Sequence, residues 1–445
     1  MSTPRHEPFR FCRAADLLKR AEALGVSLPF QDSTAPLFQT SAVSGTRIPN
    51  RMAVQPMEGC DASPAGAPGE LAFRRYRRYA EGGSGLIWFE ACSVSPEGRS
   101  NPRQLLLSTQ TLDSFRQLVE MTRRAAQARF GAMHDPYLVL QITHSGRFSH
   151  RGVRSKPRAV RFNPLIDKSP GDVDIQSDAE LMEIRDQFMA AAVLAEKAGF
   201  NAVDVKACHG YLLHELLSAI TRTDSHYGGI FENRTRLLLD IVRQIRGALP
   251  QLALAVRLNA TDGVPYPYGF GVSQGGTAAP DLSEPLRLQR LLVDAGCVLL
   301  NITAGIPFLV PHIGRPFEHP AKGAKRPDIH PLASVASLIS LAAVFQTAQP
   351  SLPVVGTGYS WLRQFWPNVG AAVIEGKKAS LIGVGRSSFA YPDAPADLMN
   401  FGALDPAKCC NTCSCCTDLM RSRQETGCVI CDRSVYGRTK EETRK

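Results

Sequence analysis

Eight short apolar segments alternating with amphipathic helices constrain this chain's fold more than any other feature. MAVQPM at 52–57, GLIWFEAC at 85–92, YLVLQI at 137–142 and AVDVKA at 202–207 read as the first four strands. LALAVRL at 252–258, VLLNIT at 298–303, LPVVGTG at 352–358 and ASLIGVG at 379–385 supply four more. Between them, segments such as DAELMEIRDQFMAAAVLAEKAG and ENRTRLLLDIVRQIRGAL carry helical periodicity. Eight strands with near-continuous apolar character, each followed by a helix, predict a (β/α)8 TIM barrel with function on the loops after the strands. A doubly wound sheet is the competing arrangement. It loses ground because no G-x-G-x-x-G follows any strand at a helix start.

With 44% hydrophobic and 21% charged residues over 445 positions, there is ample material for one large core. Residues 1–34 are expected to form a helical extension, 35–395 the barrel, and 396–445 a cysteine-rich module. The Gly-, Pro- and Tyr-rich segment 262–282 reads as a long excursion after the fifth strand. The opening MSTPRHEPFRFCRAADLLKR is interrupted by charges, so no export signal is expected, and no run of eighteen apolar residues suggests a membrane span. The expected location is the cytoplasm. The net charge is +10. Its densest run, Arg74-Arg75-Tyr76-Arg77-Arg78, falls on a predicted helix and is expected to be a solvated face. No nucleic-acid reader motif accompanies it, so an acidic electron-transfer partner or an anionic substrate suits the charge better than nucleic acid.

Seven of the twelve cysteines lie in CCNTCSCCTDLMRSRQETGCVICD. Cys410, Cys413 and Cys416 repeat as C-x2-C-x2-C, and Cys428 follows downstream. Two-residue gaps let neighbouring thiolates turn toward one centre that a distant fourth can close, which suits an iron–sulfur cubane. Zinc, which favours two separated C-x2-C pairs, is the competing metal. Cys409, Cys415 and Cys431 could substitute as ligands. Cys208 and Cys297 read as small buried hydrophobes.

The block KACHGYLLHELLSAITRTDSHYGGIFENRTR at 206–236 resembles the signature of the Old Yellow Enzyme-like FMN oxidoreductases. NRMAVQPMEG, LIWFEACSVSPEGR, LQITHSGR, VRLNATDG, VVGTGYS and LIGVGRSSF resemble the other family blocks, in the family's order. With the cysteine run, the resemblance extends to the iron–sulfur branch, which holds 2,4-dienoyl-CoA reductase, 2-enoate reductase and trimethylamine dehydrogenase. It implies a barrel binding FMN with a [4Fe-4S] cluster beside it. Two departures stand out. Lys206 and His209 occupy the places of the family's usual His-x-x-His or His-x-x-Asn pair. Glu58 stands near the flavin where relatives carry a small hydroxyl or thiol, or the cysteine that bonds FMN in the amine dehydrogenases. Cys60 is two positions away, so non-covalent FMN is expected.

The resemblance implies these roles. Arg257, whose cation at the end of an apolar strand would be costly unless it faced the barrel mouth, lies at the flavin N1–O2 edge. Gln141 bonds the pyrimidine, while Pro56 and Met57, with Ala91, cover the ring. Gly358, Gly385 and Arg386 follow the last two strands, where barrels commonly bind phosphate. Tyr211 donates a proton to the α-carbon of an activated alkene, and Lys206 and His209 hold the oxygen that takes up charge. Arg222, Asp224, Tyr227, Gly228, Gly229, Asn233 and Arg234 read as structural. The reading is an FMN- and [4Fe-4S]-dependent ene-reductase acting on an enoate or enoyl-thioester. Only residues 432–445 follow the cysteines, so its electrons would come from a ferredoxin or flavoprotein, or from NAD(P)H at the barrel mouth. Two alternatives stay open: amine oxidation with electron export through the cluster, and a non-catalytic electron-transfer or scaffold subunit. A homo-oligomer is also left open.

Overall fold

The computed structural model describes residues 6–150 and 156–437. The first five residues of the expected extension and the last eight of the module lie outside the described residues. Eight parallel strands close into a barrel: β1 (Met52–Val54), β2 (Leu86–Ser93), β3 (Tyr137–Thr143), β4 (Ala202–Val205), β5 (Ala253–Asn259), β6 (Cys297–Thr303), β7 (Val354–Gly356) and β8 (Leu381–Val384). Each pairs with the next, and β8 closes on β1 through Ile382–Met52, Gly383–Ala53 and Val384–Val54. The (β/α)8 TIM barrel expected from the apolar pattern is the observed fold.

Side-chain alternation divides each strand between two cores. Leu86, Trp88, Tyr137, Val139, Ala202, Ala253 and Ala255 fill the barrel interior. Their neighbours Ile87, Phe89, Leu138, Leu140, Val203, Leu254 and Val256 pack outward with the helices. Small alanines on β4 and β5 leave room for Trp88 and Tyr137. The same parity carries Gln141, Lys206 and Arg257 inward at the C-terminal ends of their strands, which is what positions the site. An antiparallel hairpin, Ser41–Val43 with Thr46–Ile48, adds Val43 and Ile48 to the interior core. It had no alternating signature long enough to be read from sequence.

Helix Ala14–Ala23 buries Leu17 and Ala21 in a core shared with Trp361 and Phe365. Helix Pro331–Ala348 is long and apolar enough to cross a membrane, but 61% of it is buried among the barrel's outer elements.

The arginine run departs from the solvated face expected of it. On helix Glu70–Glu81, Arg75 is buried and pairs with Asp61 at 2.5 Å and Glu90 at 2.6 Å. Arg74 and Arg78, one turn apart, both grip Asp432 of the cysteine module, at 2.6 and 2.7 Å. Only Arg77 is exposed. The module is therefore fastened over the barrel mouth, helped by Thr426 N–H to the Gly59 carbonyl and Ser414 Oγ to the His319 carbonyl. Asp432→Ala should leave two guanidiniums without their acid and weaken docking by about 1–3 kcal/mol. Limited proteolysis checks this: cleavage within the module should quicken while the barrel stays resistant.

Candidate active site

The predicted barrel-site residues converge on one cavity of about 200 Å³ at the C-terminal ends of the strands. Pro56, Met57 and Glu58 follow β1, Ala91 lies on β2, and Gln141 on β3. Lys206, His209 and Tyr211 follow β4, Arg257 lies on β5, Gly358 follows β7, and Gly385 and Arg386 follow β8; all line the cavity. Of the four predicted cluster ligands only Cys416 reaches its wall, joined by Thr417, Met420, Arg421 and Thr426. The cysteine module is thus part of the same site.

At one end stands a buried polar network that the sequence reading did not identify. Asp204, inside β4, accepts hydrogen bonds from Gln141 Nε2 at 2.6 Å, Trp88 Nε1 at 2.9 Å and the Arg257 backbone N–H at 2.6 Å. Burial pushes its carboxyl up to about 6 against those three donors. The network fixes the orientation of the Gln141 amide. The Arg257 guanidinium is buried, and its Nε has no partner among the described residues. A buried cation without an acceptor is costly unless a ligand supplies one. Gln55 joins this end, held by Asn301 Nδ2 at 2.7 Å. Gly383 makes its place, since a Cβ there would fall 2.1 Å from Gln55 Nε2.

A second unpartnered guanidinium N–H follows β8. Arg386 Nη2 donates to the Pro316 carbonyl at 2.6 Å, while its buried Nη1 is unpartnered. Arg315 is close enough for the two charges to repel; burial, with Arg386, brings its guanidinium down to about 10. Gly358 sits at φ 96°, which favours glycine, so its backbone can face the cavity. A buried and a half-buried cation with an unpaired N–H fit a phosphate.

The Lys206–Tyr211 turn, after β4, lines the same cavity. His209 adopts φ 67° and is followed by Gly210 at φ 81°. The turn is held by Gly210 N–H to His214 Nδ1 at 2.9 Å and by His214 Nε2 to Asp262 at 2.7 Å. Burial, reinforced by the Arg257 and Lys206 charges, keeps His209 neutral. Lys206 Nζ lies 3.6 Å from the centroid of the Tyr211 ring. The Tyr211 hydroxyl donates to Glu58 Oε1 at 3.1 Å, and Ser100 Oγ donates to Glu58 Oε2 at 3.1 Å. The sequence reading grouped Glu58 with the flavin contacts; its hydrogen bonds run to Tyr211 and Ser100. Phe308, half exposed, stacks on Phe148 at 3.9 Å beside this turn.

Around the cysteines, Thr412 N–H donates to Cys410 Sγ at 3.4 Å and Cys431 N–H to Cys428 Sγ at 3.3 Å. Cys410, Cys413, Cys416 and Cys428 share one electrostatic neighbourhood, with Arg386 and Arg315 facing Cys416. Among the described residues no three His, Cys, Asp or Glu side chains converge on a single metal ion. Cys208 and Cys297 are buried, as expected. The Arg222–Arg234 segment is tied into the scaffold: Arg222 bonds Asp178 at 2.6 Å, and Arg234 bonds Glu284 at 2.6 Å.

Residues 36–269 match the NADH:flavin oxidoreductase / NADH oxidase family. The chain belongs to that family. It is therefore a flavin-dependent oxidoreductase with FMN as its cofactor, and the unpartnered guanidinium N–H groups of Arg257 and Arg386 in the cavity lining fit that group. An NADPH dehydrogenase of Halalkalibacterium halodurans is 30% identical over 283 residues, covering 62% of this chain and 75% of that protein. Among solved structures, a 2-naphthoyl-CoA reductase in complex with 2-naphthoyl-CoA aligns with TM-score 0.70 at 21% identity over 89% of the chain. A 6-hydroxypseudooxynicotine amine oxidase from Pseudomonas geniculata N1 aligns with TM-score 0.69 at 20% identity over 92%. The enzyme spans 57% and 56% of those two chains, and at such identities the likeness is one of fold.

Proposed function

We propose that this enzyme reduces an activated C=C bond of an enoate or enoyl-thioester, and that Cys410, Cys413, Cys416 and Cys428 hold a [4Fe-4S] cluster through which electrons enter. The charge of the cavity carries the first half. Lys206, Arg257, Arg315, Arg386 and Arg421 line it against a single carboxylate, Glu58. With Arg386 and Arg315 assigned to phosphate and Arg257 to the flavin's polar edge, Lys206 and Arg421 remain for the substrate. That surplus attracts a carboxylate or polarised thioester and repels an ammonium. The donor set supports the second half: four neighbouring cysteines and backbone N–H groups directed at two sulfurs suit a cubane. Each thiolate of a cubane binds its own iron, so its ligands need not converge as those of one ion do.

FMN held by these residues would supply the hydride chemistry. Lys206 and the neutral His209 hold the carbonyl oxygen as it gains charge, and Tyr211 delivers a proton to the α-carbon. Gln141, locked by Asp204, and Arg257 orient the ring's polar edge. The cysteine module and the Phe148–Phe308 pair exclude water. The electron donor is a low-potential protein, or NAD(P)H entering at the cavity mouth.

Anaerobic purification tests both halves. Acid should release all the flavin, and iron with acid-labile sulfide should accompany it. Dithionite-reduced enzyme should be reoxidised by enoates or enoyl-thioesters, whereas amines should not reduce the oxidised form. Flavin reduction by an amine, with every alkene inert, would reverse the direction in favour of amine oxidation. Zinc in place of iron would remove the cluster.

A further inference from the structure

Tyr211 does not present a free proton to the cavity. Its hydroxyl donates to Glu58 Oε1 at 3.1 Å, and the other carboxylate oxygen is held by Ser100 Oγ at 3.1 Å. Burial, reinforced by the Glu58 charge, keeps the phenol well above its usual titration range. A phenol already engaged by a carboxylate is a poor acid toward carbon. Once Glu58 is protonated the contact reverses: the carboxylic acid donates to the phenol oxygen, and the phenol proton turns to the cavity.

We propose that Glu58 is the proton reserve of Tyr211, an inference that rests on Tyr211 being the α-carbon donor. In the step, the electron pair on the α-carbon forms a C–H bond with the Tyr211 proton. The Tyr211 O–H bond breaks as the Glu58 proton passes to the phenol oxygen. Glu58 is left ionised and regains a proton from solvent across its half-buried side. Lys206, 3.6 Å from the ring centroid, steadies negative charge that develops on the phenol. The groups facing Glu58 are Tyr211 and Lys206 from the end of β4, Ser100 after β2, and Cys60 on its own loop. The Cys60 thiol is pushed up by burial and by Glu58, which removes it as a competing acid. Arg421 and Thr426 of the module line the same cavity.

The test uses dithionite-reduced holoenzyme and whichever of crotonate, crotonyl-CoA and 2-cyclohexenone reoxidises the wild type fastest. Wild-type reoxidation should slow as pH rises, about tenfold per unit on its alkaline limb. Glu58→Gln should be slower by about 10–100-fold and lose that dependence, whereas Glu58→Asp should restore the slope at an intermediate rate. A wild-type rate and slope in Glu58→Gln overturns the relay. Tyr211→Phe, measured alongside, separates the two readings: slow Tyr211→Phe with unaffected Glu58→Gln removes only the relay. A fast Tyr211→Phe, or a wild type inert to all three alkenes, removes the Tyr211 reading and the relay with it. Should Glu58→Gln lose its FMN, the wild type's proton inventory in H2O–D2O mixtures decides, a curved dependence being expected and a linear one overturning the relay.

Discussion

Tyr211→Phe should slow reoxidation of the reduced enzyme by an activated alkene about 10²–10⁴-fold, the scale of losing a positioned general acid. Flavin reduction should be nearly unchanged. The substitution keeps the ring on which Lys206 rests at 3.6 Å and which lies 6.2 Å from the Phe148 ring. It removes only the hydroxyl. Glu58 Oε2 retains its bond from Ser100, and Oε1, which loses its donor, belongs to a half-buried side chain that water can reach. Substrate affinity should hold if, as proposed, Lys206 and His209 hold the oxygen; Lys206→Met should instead weaken carboxylate and thioester binding. Rapid mixing resolves the two half-reactions. Reoxidation at the wild-type rate with every accepted alkene would show that the α-carbon takes its proton from elsewhere.

The barrel was legible because strands buried on both faces need unbroken apolar runs, and all eight runs became strands. Site positions were legible for a related reason. Gln141, Lys206 and Arg257 are polar groups at the ends of such runs, where burial is tolerable only at the mouth. Asp204 carried the same signal, a lone acid inside AVDVKA, and was passed over. Its role shows only in the three donors that neighbouring strands bring to it. Arg315 sits in an irregular stretch between β6 and β7, with no periodicity or motif to mark it. The arginine run misled for a physical reason: whether a helix face is solvated depends on what docks there, and Asp432 lies 358 residues from Arg74. The cysteine spacing spoke for thiolate ligation but was silent on the module forming part of the cavity wall. The contact between Tyr211 and Glu58, 153 residues apart, was likewise invisible in one dimension.

Cys416→Ser tests whether electrons enter where the module meets the cavity. Cys416 belongs to the C-x2-C-x2-C run and also lines the barrel-mouth cavity, within reach of the Arg315 and Arg386 charges. A serine keeps the side chain's size but is a poor ligand for iron, which in such clusters takes soft thiolates. The variant should lose most of its iron and acid-labile sulfide. Reduction by a ferredoxin-like donor should fall by about two orders of magnitude or more, whereas dithionite should still reduce the retained FMN. FMN retention is expected because the phosphate contacts assigned to Gly358, Gly385 and Arg386 lie on the barrel rather than the module. The opposing guanidiniums make the outcome sharper. With the thiolate gone, Arg315 and Arg386 lose a neighbouring negative charge, and the module should loosen at that edge while Asp432 still fastens it to Arg74 and Arg78. Iron and sulfide analysis, flavin absorbance and donor-specific stopped-flow traces read the three effects separately. Undiminished turnover with the protein donor in an iron-free variant would mean that electrons reach the flavin directly at the cavity mouth, leaving the cysteine module a structural lid.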